Sequence, residues 1–458
     1  MIGPSFWLPD SGDDLAPRPP LSGDATVDVA ILGGGYSGLW TAYHLLRGDP
    51  SLEVAIVERK VCGFGASGRN GGWCSPRFPV DPGALIRRFG AATARDVLRA
   101  QLNEVAAIGD FCASEGIDAE YRQTGLLGIA RGDAQCASLG RAFQTYAALG
   151  FGEISRLLTA EETFERVHVT RLTGGLETSA GATIHPGKLV RGLARTVERL
   201  GGRIYEGTEA IRLVSGDHPA IITDRGVLHA RKSVVAAGEA YLSSLSGFRR
   251  SLMPMASMIV LTEPLTATQW NCVGWANGES LSSQAHTKDY LTRTADGRIL
   301  YGSRGPSYRF GSRMPEPALA DDEIFEWMRN SVRSWWPALT DLQFSHAWGG
   351  YVGVPRDWMP TVSYDEVSGL AQLHGYTGRG VTTSAIGGRL LAGLIGGWKT
   401  GLEALPFHRT DTPRWEPEPL RWAGVRYVQN AFSRIDKADQ ASRQRPIDTH
   451  FAEYLGEP

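Results

Sequence analysis

The stretch from Val27 to Arg59, VDVAILGGGYSGLWTAYHLLRGDPSLEVAIVER, constrains this chain more than any other. An apolar, β-branched run (Val27, Val29, Ile31) leads into Gly33-Gly34-Gly35-Tyr36-Ser37-Gly38, which fits G-x-G-x-x-G. Leu39 to Leu46 reads as a helix and Ser51 to Val57 as a second strand. The glycines have separate duties: Gly33 allows the tight turn, Gly35 lets backbone approach a pyrophosphate, and Gly38 lets helix and strand pack closely. Tyr36 and Ser37 belong to the same nest, whose N–H groups at a helix start favour a diphosphate. Glu58 stands twenty residues beyond Gly38, where a carboxylate receives a ribose 2′-hydroxyl. With 56 glycines in 458 residues the motif alone is weak. Its setting, with a strand before, a helix after and an acid closing the next strand, gives it weight.

Length and composition exclude several alternatives. At 458 residues the chain can bury the cores of one large or two to three ordinary domains. Lys+Arg 47 against Asp+Glu 49 is near neutrality and recommends no nucleic-acid partner. Cys62, Cys74, Cys112, Cys136 and Cys272 are scattered without C-x-x-C, against a disulfide framework, a zinc site or dithiol chemistry. His185, His286 and His374 lack metal-ligand spacing and read as structural, so no metal is expected. The first residues lack a basic, apolar leader, and no run of about eighteen apolar residues could span a membrane. The expectation is a cytoplasmic protein with reduced thiols and no membrane partner.

Residues 1–24 read as an extended arm on the surface. After Glu58, RKVCGFGASGRNGGWCSPRF carries five glycines, among them Gly65, Gly71 and Gly72, and forms a loop able to press on a flat ligand. Helices are expected at 81–89, 91–115, 133–149 and in HPGKLVRGLARTVERLGG, with strands at 121–131, 171–178, 203–206, 220–223 and 227–230. Ser233 to Gly238 is a buried strand whose small end, Ala236-Ala237-Gly238, suits a cofactor resting on its carboxyl edge. Strand-like text follows from 250 to 345, with a hairpin signal at Asp296-Gly297, and then a helix at 322–336. His374 to Ser384 is a third glycine-rich block, opening a helix to about Lys399 and forming another anion nest. A docking helix is expected at about 419–436.

Together ILGGGYSGLWTAYHL, GFGASGRNGGWCS, HPGKLVRGL, SVVAAGEAY, DGRILYGSRG, WGGYVGVPRDWMP and GYTGRGV carry a resemblance. The chain resembles FAD-dependent oxidoreductases of the D-amino-acid oxidase, glycine oxidase and sarcosine oxidase superfamily, within it the γ-glutamylputrescine oxidoreductase-type branch. The resemblance implies an α/β fold: a Rossmann-like FAD-binding domain built from 25–75, 185–245 and 345–400. Interleaved with it would be an α+β substrate domain, 76–184 and 246–344, containing a large mixed sheet. The arm 1–24 and a docking helix and tail, 401–458, would flank them. It also implies that Gly33, Gly35 and Gly38 hold the pyrophosphate and Glu58 the adenosine ribose, with Arg59 or Lys60 edging the adenine pocket. Gly65, Ala66, Ser67, Arg69, Asn70, Gly71 and Gly72 would approach the ribityl and flavin, as would Ala237, Gly238, Gly378, Arg379, Gly380, Val381 and Thr382. Sarcosine oxidases tether FAD through a cysteine at the place of Gly349, and other members through a histidine at that of Arg69. Lacking both, this chain is expected to hold FAD non-covalently.

The implied chemistry is oxidation of a C–N bond in an amine or amino-acid-like substrate, with molecular oxygen reoxidising the flavin. A dehydrogenase passing electrons to a quinone or protein, and an NAD(P)H-fed monooxygenase, are the rivals. Such a site needs orientation and aromatic walls more than a strong base. Trp348 and Tyr351 are candidate walls, with Tyr290 and Tyr301 on the hairpin. Pairing across Asp296-Gly297 puts Arg293, Leu300, Gly302 and Arg304 on one face and Tyr290, Thr292 and Tyr301 on the other. Gly302 would permit close approach and favours the arginine face. The basic residues that hold a substrate carboxylate in sarcosine oxidases fall here at Thr382 and near Pro76, with Arg77 adjacent. The expected substrate is therefore an amine whose reacting end is uncharged, a longer acidic amine anchored at its distant end by Arg293 or Arg304 remaining the alternative.

Overall fold

The computed structural model describes residues 5–304, 308–315, 322–441 and 443–456. The last residue of the DGRILYGSRG match lies outside them. Two eight-stranded sheets organise the chain. The first is parallel at its centre: Leu370–His374, Gly226–Ala236, Ala25–Leu32, Val54–Val57 and Arg203–Tyr205 lie side by side. Thr361–Asp365 pairs antiparallel at one edge, and Ala210–Val214 and Ala220–Thr223 join as a meander. Parallel strands covered on both faces read as continuous apolar text, and all four residues of Val54–Val57 are buried. Gly226–Ala236 is one long strand where the sequence suggests two. Its pairing with Ala25–Leu32 shifts register between Val27 and Val29, and this irregularity bridges the polar Arg231-Lys232.

The two helices that open at glycine blocks, Tyr36–Gly48 and Gly380–Gly396, pack on each other: a Cβ on Gly388 would come 2.6 Å from Trp40 Cβ. Pro82–Ser114 spans both helices expected at 81–115. Asp81 caps it by accepting the Gly83 N–H at 2.8 Å, and Gly90 interrupts it. Its apolar face, with Val97, Ile108 and Phe111, joins the core of the first sheet.

The second sheet runs Phe344–Val354, Met253–Thr262, Ile299–Arg304, Asp289–Arg293, Ser280–Ser283, Leu126–Ala130, Gly174–Thr178, Ser155–Leu158. Only Ser280–Ser283 with Leu126–Ala130 is parallel, so the sheet is mixed. Phe344–Val354, assigned from sequence to the FAD-binding segments, belongs here, paired along its length with Met253–Thr262. One face packs under helix Asp322–Trp335. The other, with Ile259, Leu261, Leu300 and Trp348, receives Phe6 and Trp7. The start of the arm does not lie on the surface: Phe6, Trp7 and Leu8 are buried, while most of 9–20 is exposed. At the far end, helix Leu420–Gln440 docks through Asp436, which accepts N–H groups from His286 and Thr287 at 2.8 and 2.7 Å. Among the described residues no helix is long and apolar enough to cross a membrane.

The hairpin departs from its expected register. The observed pairs are Asp289 with Ser303, Tyr290 with Gly302, Leu291 with Tyr301, Thr292 with Leu300 and Arg293 with Ile299. Gly297, at φ +83°, makes the connection three residues long rather than two, closed by hydrogen bonds between Thr294 and Arg298. A slip of one residue moves every side chain of one strand to the other face. Tyr290, Thr292, Leu300, Gly302 and Arg304 now share a face, and Arg293 and Tyr301 lie on the opposite one.

Candidate active site

A single cleft runs from Glu58, past the first glycine nest, to Tyr351 and Val352 of the second sheet. Its floor is the carboxyl edge of the parallel sheet: Leu32, Val57, Ala237 and Gly238 line it. Gly33, at φ +110°, turns the chain so tightly that an added Cβ would stand 2.7 Å from the Ala237 carbonyl. Gly35 caps helix Tyr36–Gly48 without a side-chain hydrogen bond. Ser67 Oγ takes the Tyr36 N–H at 2.8 Å, and Gly35, Tyr36 and Ser37 at the helix start line the cleft, where an anion site would lie. Gly38 does not line the cleft. A Cβ there would come 2.1 Å from Gly33 O, which fits the packing duty read from sequence.

At one end of the cleft the Glu58 carboxylate accepts N–H groups of Gly34 and Lys60, both at 2.9 Å. Burial pushes its pKa up against these donors, which pull it down. Arg59 lies over the Tyr241 ring, 5.3 Å from its centroid, and 3.9 Å from Glu209, closing the cleft edge. Lys60 is exposed and takes part only through its backbone, so of the two basic candidates Arg59 edges the cleft.

Gly65, Ala66, Ser67 and Asn70 line the next section. Asn70 braces its own loop: Nδ2 donates to Ala66 O and Ser67 O, and Oδ1 accepts the Gly72 N–H. Arg69 turns away, donating to Phe64 O at 2.6 Å and Gly349 O at 2.7 Å. Gly71 and Gly72 stand behind, against Tyr290 and Ile184. At the third block Gly378, Gly380 and Val381 line the cleft, but Arg379 and Thr382 do not. Arg379 donates to Phe78 O and Thr382 to Ser75 O.

Several lining residues escaped the sequence reading: Phe64, Thr208, Tyr241 and Tyr376, and above all Glu239. Glu239 Oε1 accepts the Gly353 N–H at 3.0 Å and Oε2 that of Gly375 at 2.7 Å, tying the second sheet to the third glycine block. Burial raises its pKa to about 7 despite these donors. Its signal was an acid directly after Ala236-Ala237-Gly238. Tyr376 Oη meets Ser37 Oγ at 2.6 Å, joining the third block to the first. That pairing has no short-range signal.

The substrate-side candidates separate. Tyr290 crosses Gly302, where a Cβ would stand 1.9 Å from its Cζ, and its hydroxyl meets Ser257 Oγ at 3.2 Å on the face toward Gly71 and Trp73. Arg304 shares this face and lies over Trp358, 5.8 Å from the ring centroid. Arg293 is corrected: it lies over Trp270 at 4.1 Å and donates to Trp275 O and Ala276 O, on the far side of the sheet. Tyr301 is likewise core, with Phe325, Met328 and Trp335. Trp348 and Tyr351 cannot form one wall, because residues three apart in a strand point to opposite faces. Trp348 is fully buried and donates to Arg69 O at 3.0 Å; Tyr351 reaches the cleft.

A helix-start nest with an open cap, a carboxylate at the end of the next strand and small residues along the sheet edge fit the two halves of FAD. The glycine and serine contacts would hold the diphosphate and Glu58 the ribose. The family model described as DAO, FAD dependent oxidoreductase, matches residues 28–394. γ-Glutamylputrescine oxidoreductase of Escherichia coli (strain K12) is 30% identical over 396 residues, covering 86% of this chain and 89% of that protein. Among solved structures, glycine oxidase from Geobacillus kaustophilus aligns with TM-score 0.70 at 20% identity, over 84% of this chain and 98% of that one. L-Proline dehydrogenase from P. horikoshii aligns with TM-score 0.67 at 21% identity, over 85% and 96%. The chain belongs to the DAO family of FAD-dependent oxidoreductases.

Proposed function

We propose that this protein oxidises a C–N bond in a small amine or amino-acid-like substrate, using non-covalent FAD and molecular oxygen. The observation that carries the reading is the continuous cleft from the Glu58 carboxylate through the Gly33 nest to the second sheet. When bound, FAD, held by the Gly33 nest and Glu58, would supply the two-electron acceptor chemistry by which the amine becomes an imine, with molecular oxygen as the final acceptor. This chain's residues orient and desolvate: Tyr351 walls the far end of the cleft and Arg69 clasps loop to sheet. The amine is already in its reacting form when neutral, so no strong base is needed. Non-covalent binding is supported by the two places where relatives attach flavin. Here they are occupied by Arg69 and Gly349, which bond to each other at 2.7 Å.

The substrate's reacting end is read as uncharged, since Thr382 is spent on Ser75 O. One observation favours a second reading, an amine bearing an acid. Arg77 contacts Ser282 Oγ at 3.4 Å and the Trp73 ring, Arg379 contacts Phe78 O, and no carboxylate pairs with either among the described residues. An anaerobic screen of alkyl amines, γ-glutamyl amines, sarcosine, glycine and D-alanine for loss of flavin absorbance tests both. If none bleaches the flavin, C–N oxidation is wrong. If sarcosine or a D-amino acid leads in kcat/KM by tenfold, about 1.4 kcal/mol, the uncharged-end reading gives way to the acidic one. Peroxide yield with and without an artificial acceptor separates an oxidase from a dehydrogenase, and bleaching by NADPH would mark a monooxygenase. We read the site of action as the cytoplasm.

A further inference from the structure

Four consecutive carbonyls of the flavin-side loop are each held from a different direction. Arg69 O accepts from Trp348 Nε1 at 3.0 Å, Asn70 O from Trp7 Nε1 at 2.8 Å, Gly71 O from Thr292 Oγ1 at 2.6 Å and Gly72 O from the Ile184 N–H at 2.8 Å. A trans peptide that points its carbonyl one way points its N–H the other. Holding these oxygens away from the cleft therefore fixes which way the loop's N–H groups face. Three donors come from the body of the fold. The fourth, Trp7, comes from the N-terminal arm and is nearly fully buried, edge-on to His185 at 4.8 Å and to Trp348 at 6.4 Å.

The arm also grips the head of this loop. Glu206, its side chain inaccessible to solvent, accepts from Arg18 N at 2.8 Å, Arg18 Nη1 at 2.9 Å and Cys62 N at 2.7 Å. Asp13 pairs with Arg191 and Arg195, both at 2.6 Å, and fixes the arm between these points. We infer that the N-terminal arm is a strap across the 62–72 loop and that Trp7 is a positioning residue for the cofactor, acting through the Asn70 carbonyl. Its hydrogen bond sets the orientation of the Asn70–Gly71 peptide, and so the face that the loop offers the flavin.

Trp7→Phe keeps an aromatic ring in the site while removing the indole donor and part of the buried ring volume. Apoprotein of the full chain is titrated with FAD by fluorescence. The visible circular dichroism and midpoint potential of the bound flavin are then recorded on reconstituted enzyme. The expected result is a Kd raised about tenfold, with altered flavin dichroism and potential, while the apoprotein melts within about 1 °C of the parent. An unchanged Kd and spectrum overturn the inference. So does a Kd that rises only alongside a lowered apoprotein melting temperature, with dichroism and potential unchanged, because that is the mark of lost packing alone. If Trp7→Phe does not fold, Arg18→Ala, distant from the flavin loop's tip, loosens the same strap. It should raise the Kd for FAD and leave the substrate KM unchanged, and an unaltered Kd refutes the strap.

Discussion

The Gly33–Gly38 nest and the face of the second sheet that carries Tyr290 hold the same loop, 62–72, by opposite means. The nest offers backbone, placed by a turn, a helix start and two parallel strands, Ala25–Leu32 and Val54–Val57, that lie close in sequence. The sheet offers side chains, Tyr290, Ser257 and Trp348, drawn from three strands and aligned only by antiparallel register. A change in the nest should therefore cost cofactor, and a change in the sheet should cost placement of the substrate. Substitutions that separate the two losses test this division.

Gly35→Val carries the largest expected effect. Gly35 has an ordinary φ of −92°, and an added Cβ meets only Ser67 Oγ, at 2.9 Å, a side chain that can rotate away. The chain should fold and FAD affinity should fall by at least a hundredfold, about 2.7 kcal/mol. FAD titration of the variant giving a Kd near the parent value places the nest elsewhere. Gly302→Ala comes next, since its Cβ would stand 1.9 Å from Tyr290 Cζ and must displace the ring. A fall in kcat/KM of about thirtyfold, roughly 2 kcal/mol, is expected with FAD affinity unchanged. Equal loss of FAD would mean that the two regions are not separable.

Glu58→Ala removes the acceptor proposed for the ribose, and FAD binding should weaken by about 1.5 kcal/mol, the range of a hydrogen bond to a charged group. Isothermal titration of the variant measures it, and a loss as large as that of Gly35→Val would contradict the ranking. The smallest effect tests the seam between the regions. Glu239 bonds to Gly353 of the second sheet and Gly375 of the third block, and burial raises its pKa from 4.5 to about 7. A carboxyl that the fold keeps protonated and the unfolded chain ionises favours folding at low pH. Its contribution is lost as pH rises from about 4.5 to about 7 and is constant above that window. Melting temperatures of the apoprotein across this range should decline less for Glu239→Gln than for the parent; parallel curves would remove Glu239 from the seam's pH response.

The hairpin shows where sequence reading stopped. Asp296-Gly297 announced a turn correctly, yet two- and three-residue connections share that signal, and the one-residue difference moved Arg293 to the far face and Tyr290 to the near one. Trp348 and Tyr351 were grouped because they stand close in sequence, although strand alternation sends them apart. Phe344–Val354 carries glycines like those of the cofactor segments and pairs instead with Met253–Thr262. Phe6 and Trp7 looked like surface text because an arm rich in Pro and Asp gives no periodicity. Their burial follows from a groove between helix Pro186–Arg199 and the second sheet, which exists only once both have formed.

By itself the sequence determined the parallel βαβ unit, the places where its helices begin, the glycine nests and the acid at Glu58. Each is fixed by steric and hydrogen-bonding needs that operate within a few residues. It also sufficed, through several such blocks in order, to mark the family. The tertiary structure alone decided which face of the hairpin looks inward, that Ser37 meets Tyr376 and that Glu239 ties the second sheet to the third glycine block. It alone decided that Trp7 holds the Asn70 carbonyl. These are contacts between segments far apart along the chain, set by strand register and by which surfaces must be buried together, and no local pattern of residues encodes either.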